Sequence, residues 1–416
     1  MKKLLFIPIL PLLSLAVSFD DIQKDITNSL TYKLIQKQVK LSKQTLNQTN
    51  AKNYGSLDVE YDAIHFKDQP FTYIKIPPIV DTTSNLSDKN HFIAQIKYSY
   101  PLFTGYAISN MIEKSKLEYI KEKLNLNNVK RMLILQTADI YSKIYALKEK
   151  IKALNVAKKA LISSKEKALG FYNAGLLDKS KVDEIEAKYY EILADIQNAT
   201  SQKNALLNTL SYILNKKIDK IDSITTLDVT TPNFQNRPDV KMIKQTLKIA
   251  SKDLMVAKSS KYPQVGLEVA LKREGDNFSI TKNDYQNIDK SYVALAVKYN
   301  IFSGGAKKAQ IEMAKIAKES AVLFYNDYLN KIKTEYNNDK NSFNALKYQL
   351  ESAKKEIVAR KSYYDYIQAK FNEGLADSSD LNDAISRLAL AKAKKESINS
   401  KLFLLSIKLK VNGGDL

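Results

Sequence analysis

Four segments of the chain alternate regularly between apolar and polar residues. The apolar positions of the first two segments are Leu57, Val59, Tyr61 and Ala63, followed by Phe92, Ala94, Ile96, Tyr98 and Tyr100. Those of the last two are Val265, Leu267, Val269 and Leu271, followed by Val293, Leu295, Val297, Tyr299 and Ile301. A two-residue period is typical of a β-strand with one polar face. The pattern predicts two strand pairs, within about 56–101 and about 264–302, with exposed polar loops at about 66–90 and about 274–290.

A long helical pattern with hardly a breaker follows each strand pair. It covers about 105–172 and about 305–372, where heptad-like apolar positions lie among Lys, Glu, Gln and Asn. At about 1.5 Å per residue, each helix is about 100 Å long, too long for a compact domain but suited to a coiled-coil-like tube. Further helices are predicted before the first strand pair and at about 178–214, about 238–260 and about 378–411. The predicted fold is therefore mostly α-helical, with four β-strands per chain.

Each long helix ends at a Gly-Leu pair. The pairs are Gly175 with Leu176 and Gly374 with Leu375, and a second helical pattern follows each. Glycine adopts a positive φ at a helix C-terminus without steric cost. These pairs therefore predict the tight tips of two antiparallel helical hairpins.

The two halves of the chain repeat one plan. The residues Tyr100, Phe103, Gly105, Ile112, Glu113, Lys116, Gly175 and Leu176 recur as Tyr299, Phe302, Gly304, Ile311, Glu312, Lys315, Gly374 and Leu375. Every pair has the same offset of 199 residues. A constant offset indicates a tandem structural repeat without a net insertion. We expect a first repeat at 19–214, a connection at 215–236 and a second repeat at 237–416.

The N-terminus has the features of a cleaved secretory signal peptide, at about residues 1–18. Lys2 and Lys3 precede an apolar run, and small residues precede Asp20. No cysteine is present, so we expect neither disulfides nor a lipoprotein anchor. The two histidines, His65 and His91, lie in strand-like segments and give little support for a metal site.

The formal net charge of +20 raises the question of nucleic-acid binding. The lysines are distributed through helical segments among Asp, Glu and Asn, a pattern typical of solvated helix faces. Export directed by a secretory signal peptide also argues against a nucleic-acid partner. We therefore expect none.

Strand number predicts the oligomeric state. A membrane β-barrel needs about eight strands, because an open edge in lipid leaves backbone groups unpaired. Four strands per chain cannot close a barrel, whereas three chains give about twelve; a dimer is the weaker alternative. The tyrosines Tyr54, Tyr100, Tyr262 and Tyr299 flank the four strands on one rim. They resemble an interfacial aromatic girdle, although tyrosine also favours strand ends in general.

The junction and linker sequences resemble those of TolC-like outer-membrane efflux proteins. The strand-to-helix junctions are Pro101, Leu102, Phe103, Thr104 and Gly105 in the first repeat and Ile301, Phe302, Ser303, Gly304 and Gly305 in the second. The second repeat opens with Arg237, Pro238, Asp239 and Val240, followed by Ala250, Ala257, Ser260, Tyr262, Pro263 and Gln264. The resemblance covers residues 21–411, and its specificity comes from the order and spacing of these motifs.

This resemblance implies a passive trimeric duct. It would combine an outer-membrane β-barrel of twelve strands, a periplasmic α-barrel and an equatorial region built from 215–236 and the chain ends. In the family, an inner-membrane transporter supplies energy and a periplasmic adaptor docks on the helical tips, which here carry Gly175, Leu176, Gly374 and Leu375. The resemblance implies no cofactor. The strongly basic charge departs from the family, so the electrostatics of the tunnel stay open.

The resemblance also implies a periplasmic gate. Asp380 and Asp383 follow Gly374 at the spacing of the family's tunnel-constricting aspartates, whereas the first repeat has Lys181 and Glu184 there. Three residues apart on a helix, the two aspartates share a face and could form carboxylate rings in a trimer. The alternative is helix capping, with Asp377 as N-cap and Asp380 in the first turn.

Two other classes of protein compete with a duct. A periplasmic adaptor would have one hairpin flanked by other domains, and a structural coiled coil would not need four amphipathic strands. An enzyme is not supported, because the sequence has no nucleophile elbow, phosphate-binding glycine loop or HExxH-like motif. The sequence does not identify the exported substrate or the adaptor, or whether the transporter is proton-driven or ATP-driven. Drug efflux, metal efflux and type I secretion all stay open.

Overall fold

The computed structural model describes residues 16–85, 88–229, 231–277 and 287–415. Most of the predicted signal peptide, residues 1–15, lies outside the described residues. The chain divides into two compact units. A sheet unit comprises Val39–Glu122 and Ile243–Tyr325, and a helical unit comprises the remaining segments.

The helices occur in pairs of equal length, one in each half of the chain. A short helix, α1 (Phe19–Asp25), precedes them. The pairs are α2 (Leu30–Ala51) and α5 (Pro238–Ser259) with 22 residues, α3 (Ala107–Asn173) and α6 (Ala306–Asn372) with 67, and α4 (Lys179–Leu214) and α7 (Ser378–Gly413) with 36. No helix in the described part of the chain is both long and apolar enough to cross a membrane.

The main sheet is antiparallel and includes strands from both repeats. Its members are β1 (Ser56–His65), β4 (Asn90–Phe103), β5 (Gln264–Gly275), β6 (Asn287–Asp289) and β7 (Tyr292–Lys298). β4 pairs with β1 on one side and with β5 on the other, and β7 and the short β6 pair with the far side of β5. The contact between β4 and β5 therefore joins the two repeats.

The first predicted loop contains a hairpin that the sequence analysis missed. β2 (Phe71–Ile76) pairs with β3 (Val80–Asn85) as a separate two-stranded sheet, so the prediction of a loop over these residues was wrong. Pro77 and Pro78 lie in the turn, where a missing N–H costs no ladder hydrogen bond. The last strand is also shorter than predicted, since β7 ends at Lys298. The second predicted loop includes 278–286, which lie outside the described residues, and β6.

The helical unit contains three apolar cores. The first joins α1, α3, α4 and α7 through Phe19, Ile22, Tyr141, Leu210 and Phe403. The second lies near the hairpin tips and contains Leu161, Ile185, Phe371 and Leu381. The third packs α6 on α7 through Tyr336, Phe343, Leu402 and Leu409. These contacts bury the apolar stripes of the helices within one chain.

The connection at 215–236 is tied to both ends of the chain. Val17 forms a parallel bridge with Ile221, with hydrogen bonds from Val17 N to Lys220 O (3.1 Å) and from Asp222 N to Val17 O (3.0 Å). Near its other end, Asn233 N donates to Gly413 O at 2.6 Å. The described residues of the connection, 215–229 and 231–236, have little regular structure beyond this bridge and a short 3₁₀ turn at Phe234–Asn236.

Candidate functional site

One face of the main sheet is continuously apolar across four strands. The register places Val59 opposite Ile96, and Ile96 opposite Leu271. It also places Leu267 opposite Leu295. Because side chains alternate along each strand, the apolar residues of the four predicted segments lie on this face, except Tyr299 and Ile301, which follow the end of β7. Val59, Leu271 and Leu295 are 77%, 64% and 64% exposed. Among the strand residues that the structure describes, only Ala270 is buried.

The opposite face of the sheet is mainly polar. Asp58 is opposite Lys97, and Glu60 is opposite Gln95. Tyr292 donates a hydrogen bond to Glu268 on the same face. This arrangement, apolar on one side and polar on the other, is the one that a membrane β-barrel uses.

Both sides of the sheet end in strands that have one free edge. In the described part of the chain, β1 pairs only with β4, and β7 pairs only with β5. Unpaired N–H and C=O groups along an edge favour pairing with another strand. The sheet can therefore be extended by another chain on each side.

The four predicted rim tyrosines lie at the same end of the sheet. The pairs Ser56 with Ser99 and Gln264 with Lys298 show that β1 and β5 begin where β4 and β7 end. Tyr54, Tyr100, Tyr262 and Tyr299 flank those positions. The backbone carbonyl of Tyr54 accepts a hydrogen bond from Tyr98 Oη at 2.8 Å.

The two strand-to-helix junctions differ in packing. Gly105 has a φ of +60°, and a Cβ there would lie 2.6 Å from Ser259 O and 2.8 Å from Tyr262 Cβ. Phe103 packs edge-on against Tyr106 and Tyr262, with centroids 5.5 and 6.5 Å away. The glycine in the first junction is therefore required by both backbone angle and close approach.

The second junction is open. Gly304 has a φ of +59°, but no heavy atom lies within 4 Å of a Cβ built on it. Phe302, the counterpart of Phe103, is 84% exposed. Here only the backbone angle requires glycine.

Both hairpin tips have the same backbone capping. Leu176 N donates to Phe171 O and Leu375 N to Lys370 O, each at 2.9 Å, while the preceding glycines have φ of +74° and +73°. These bonds form Schellman motifs. Leu176 and Leu375 are 74% and 69% exposed, so each tip presents a leucine to its surroundings.

An ion pair connects the two tips. Lys181 Nζ lies 2.9 Å from Asp377 Oδ2 and 3.5 Å from Glu184 Oε2, and Ser378 Oγ donates to Glu184 at 3.4 Å. The hydrogen bond from Lys181 holds the pKa of the Asp377 carboxyl below its ordinary value. The same contact raises the pKa of Lys181. In the sequence, Lys181 differs from its counterpart in the second repeat, but no local pattern predicts its contact with Asp377.

The predicted gate aspartates have different surroundings. Asp377 is the N-cap of α7, since its side chain accepts from Ser379 N at 3.2 Å, and Asp380 lies exposed in the first turn. Asp383 accepts from Arg387 Nε, with contacts of 2.8 and 2.6 Å to its two oxygens. Within one chain, Asp383 is therefore charge-paired, which the sequence analysis did not predict. The gate role of both residues stays a prediction.

A buried charge cluster lies at the start of α5. Asp239 accepts from both Arg237 Nε (3.1 Å) and Arg237 Nη2 (2.6 Å), and Arg131 Nη2 lies 3.0 Å from it. Tyr328 Oη donates to the same carboxylate at 2.8 Å. Asn412 accepts from Arg131 Nη1 through its side chain and from Arg237 Nη1 through its backbone carbonyl. The cluster thus joins α3, α5, α6 and α7.

Ionisation in this cluster follows from its contacts. Burial raises the pKa of Asp239, but the Arg237 hydrogen bonds and the Arg131 charge outweigh burial, so the pKa lies below its ordinary value. Burial and the bond to Asp239 raise the pKa of Tyr328 to about 12. Asp239 is therefore ionised and Tyr328 neutral at physiological pH.

Metal binding finds no support among the residues described. They contain no group of three or more His, Cys, Asp and Glu side chains that could hold a metal ion. His91 Nε2 instead lies 3.2 Å from Glu274, and His65 Nδ1 lies 2.8 Å from Asn90 Oδ1.

The sequence is similar to a protein-family model and to a known outer membrane protein. Residues 234–402 match the family model described as Outer membrane efflux protein. The chain is 20% identical over 303 residues to the outer membrane protein TolC of Salmonella enteritidis, a match that covers 67% of this chain. The matched part spans 60% of that relative's length.

Solved structures with this fold include outer-membrane channels. CusC is similar with a TM-score of 0.82 and 14% identity, covering 95% of this chain and 92% of that one. VceC of Vibrio cholerae has a TM-score of 0.79 and 15% identity, with 95% of this chain and 96% of that chain covered. CmeC of Campylobacter jejuni has a TM-score of 0.80 and 14% identity, with 95% of this chain and 86% of that chain covered. The predicted fold class and the predicted family resemblance are confirmed.

Proposed function

We propose that this chain, a relative of the outer membrane efflux proteins, forms one third of a passive export duct in the outer membrane of a Gram-negative bacterium. The observation that carries the proposal is the main sheet. It has a continuous exposed apolar face, a mainly polar face and two strands with free edges. Such a sheet is unfavourable in water as a single chain and suits a barrel in lipid.

Closure by three copies satisfies the free edges. β1 of one copy pairs with β7 of the next, and the four long strands of each chain give a barrel of about twelve. Lipid then covers the apolar face, and the polar face lines the lumen. The rim tyrosines lie at the interface, where aromatic side chains are favoured.

A pair of adjacent substitutions tests this orientation. Val59→Arg places a charge on the apolar face near the middle of β1, where it costs about 2–4 kcal/mol in a bilayer. Glu60→Arg is the matched control, because it changes the polar face of the same strand. We expect Val59→Arg to reduce the trimer yield in outer membranes, measured by native mass spectrometry in detergent, and Glu60→Arg to preserve it.

Two results would contradict the trimeric barrel. One is a detergent-solubilised monomer with the full β-content by circular dichroism. The other is an equal loss of trimer in both variants, since the loss would then not depend on which face of the sheet carries the new charge.

The hairpin tips are the proposed docking site for a periplasmic adaptor. The support is local: Leu176 and Leu375 are exposed beside rigid Schellman turns, where a solvated loop would favour polar residues. The adaptor connects the duct to an inner-membrane transporter, which supplies the energy. The duct itself carries out no catalytic step.

Docking is tested by replacing both leucines with aspartate. The double variant Leu176→Asp and Leu375→Asp should abolish export while the trimer still reaches the outer membrane. The control is Leu390→Asp, which also changes an exposed leucine but lies on α7 away from the tips. Unchanged export in the double variant would refute docking at the tips.

Asp380 and Asp383 are the proposed periplasmic gate. They are exposed and lie three residues apart on α7, so that three chains place two carboxylate rings at the entrance. Converging carboxylates concentrate cations and should make the closed duct cation-selective. The double variant Asp380→Asn and Asp383→Asn should lose cation selectivity and block by multivalent cations in planar bilayers, and unaltered selectivity would refute the gate.

A further inference from the structure

The helices α2 and α5 are equivalent elements of the two repeats. Each has 22 residues and precedes the first strand of its repeat. An offset of 208 residues relates Lys33 to Lys241 and Lys40 to Lys248. The two helices therefore carry lysine at matching positions.

Each helix carries a stripe of lysines. The α2 stripe consists of Lys33, Lys37, Lys40 and Lys43, and the α5 stripe of Lys241, Lys244, Lys248 and Lys252. Successive members lie three or four residues apart, so each stripe occupies at most about 120° of the helix circumference. All are exposed except Lys252, which is partly exposed. On these two helices, the prediction that the lysines are dispersed among acidic residues and Asn was wrong.

No acidic residue balances these stripes within its own helix. α2 contains neither Asp nor Glu. The two acids of α5 are engaged elsewhere, Asp239 in the buried cluster with Arg237 and Asp253 with Lys114 at 2.7 Å. The helices α4 and α7, by contrast, contain five and three acidic residues.

Aligned like charges oppose helix formation. Lysine pairs three or four residues apart, such as Lys244 with Lys248 and Lys248 with Lys252, repel each other on the helix surface. An anionic partner that lies along the stripe removes this repulsion and releases counterions. The stripes thus have the charge and the linear shape to bind an extended polyanion.

We propose that the lysine stripes of α2 and α5 bind an anionic glycan polymer of the cell wall. The proposal rests on the proposed function, which places both helices on the periplasmic side of the outer membrane. Carboxylates repeated along peptidoglycan match a row of ammonium groups in charge and in linear arrangement.

Membrane lipid fits the geometry less well. The headgroup layer is about 5–8 Å thick on each side of a bilayer. Along α5, Lys252 lies about 10 Å and Lys244 about 22 Å from Ser259, the last residue before the turn into β5. Most of the stripe would therefore extend past the headgroups, where a cell-wall polymer can reach it.

Co-sedimentation of the full-length protein in detergent with purified peptidoglycan sacculi tests the proposal. One triple variant changes Lys33, Lys37 and Lys40 to Gln, and another changes Lys244, Lys248 and Lys252 to Gln. The variant that combines all six changes should bind sacculi at low salt at least about tenfold more weakly than the wild type. Each triple variant should have a smaller effect. Added salt should weaken the binding of the wild type.

The control variant changes Lys331, Lys333 and Lys340 to Gln, which removes the same charge as each triple variant, from exposed positions on α6 that form no single stripe. It should bind sacculi as the wild type does. If the control variant lost as much sacculus binding as the triple variants, the loss would be a general effect of charge, and the proposal would be overturned.

Two parallel measurements separate the other outcomes. Binding to vesicles of phosphatidylglycerol and phosphatidylethanolamine, without binding to sacculi, would assign the stripes to lipid and overturn the proposal. A change in the ion selectivity of the channel with unchanged sacculus binding would place the stripes in the lumen and also overturn the proposal. Trimer mass and conductance from the same preparations show whether the proposed duct itself has failed.

Discussion

The helical unit and the sheet unit bury their apolar residues in different ways. The helical unit has three cores, with Ile22, Tyr141 and Leu161 fully buried inside a single chain. In the sheet unit, apolar residues such as Val59 and Val293 are more than 70% exposed. Stability of the first unit therefore comes from intrachain packing, whereas the second needs another surface to cover it. One chain thus contains a unit with its own apolar cores and a unit whose apolar face is exposed.

The largest expected effect is at the buried charge cluster. Asp239→Asn leaves Arg131 and Arg237 buried without a charged partner, which should destabilise the helical unit by about 3–5 kcal/mol. Thermal unfolding followed by circular dichroism measures this loss. Asp327→Asn, at an exposed position beside Tyr328, is the control and should have little effect. Equal stability of the two variants would show that the cluster does not hold the helices together.

Cavity formation should distinguish the two units directly. Leu161→Ala removes a fully buried side chain and should cost about 2–5 kcal/mol in denaturant unfolding. Leu295→Ala removes a side chain that is 64% exposed and should change unfolding of the isolated chain by less than about 0.5 kcal/mol. A large effect of Leu295→Ala in the isolated chain would remove the contrast between the units.

The two junction glycines should differ in the same experiment. Gly304→Ala should cost about 1–2 kcal/mol, because alanine is strained at positive φ. Gly105→Ala should cost more, since its Cβ would also meet Ser259 O and Tyr262. The measurement compares the unfolding midpoints of the two variants. A greater loss of stability for Gly304→Ala than for Gly105→Ala would contradict the packing described at the first junction.

The smallest expected effect is on the pH response of the hairpin tips. Because Lys181 lowers the pKa of Asp377, this pair contributes stability above the ordinary Asp pKa of 3.8 and loses it as pH falls through the lowered value. Protection factors for amide hydrogen exchange at the tips, which correct for the intrinsic exchange rate at each pH, should therefore fall in that acidic range. Lys181→Gln should raise exchange at neutral pH and reduce the change on acidification, whereas Lys179→Gln serves as a control. An identical pH response in wild type and Lys181→Gln would refute the contribution of the pair.

Local periodicity predicted the elements of the fold well. The two-residue alternation identified the face shared by Val59, Ile96 and Leu271, and the repeat offset paired α3 with α6. The β2–β3 hairpin was missed because Pro77 and Pro78 indicated an irregular loop, although they only occupy its turn.

Side-chain pairing over long separations could not be predicted in the same way. Arg131 meets Asp239 and Lys181 meets Asp377 only after the helices pack, and no local pattern specifies those partners. Arg387 is different, since it lies four residues after Asp383, a spacing that predicts an ion pair on a helix. The lysine stripes likewise depend only on helical spacing, once the bounds of α2 and α5 are known.

The equal lengths of the paired helices limit how this protein can evolve or be redesigned. A heptad added to α3 alone would move Lys181 along the helix axis, out of reach of Asp377, and α4 could no longer return in register. A viable insertion would therefore have to appear in α3, α4, α6 and α7 together. Substitutions can accumulate independently in each repeat, but a change of length is one coordinated event.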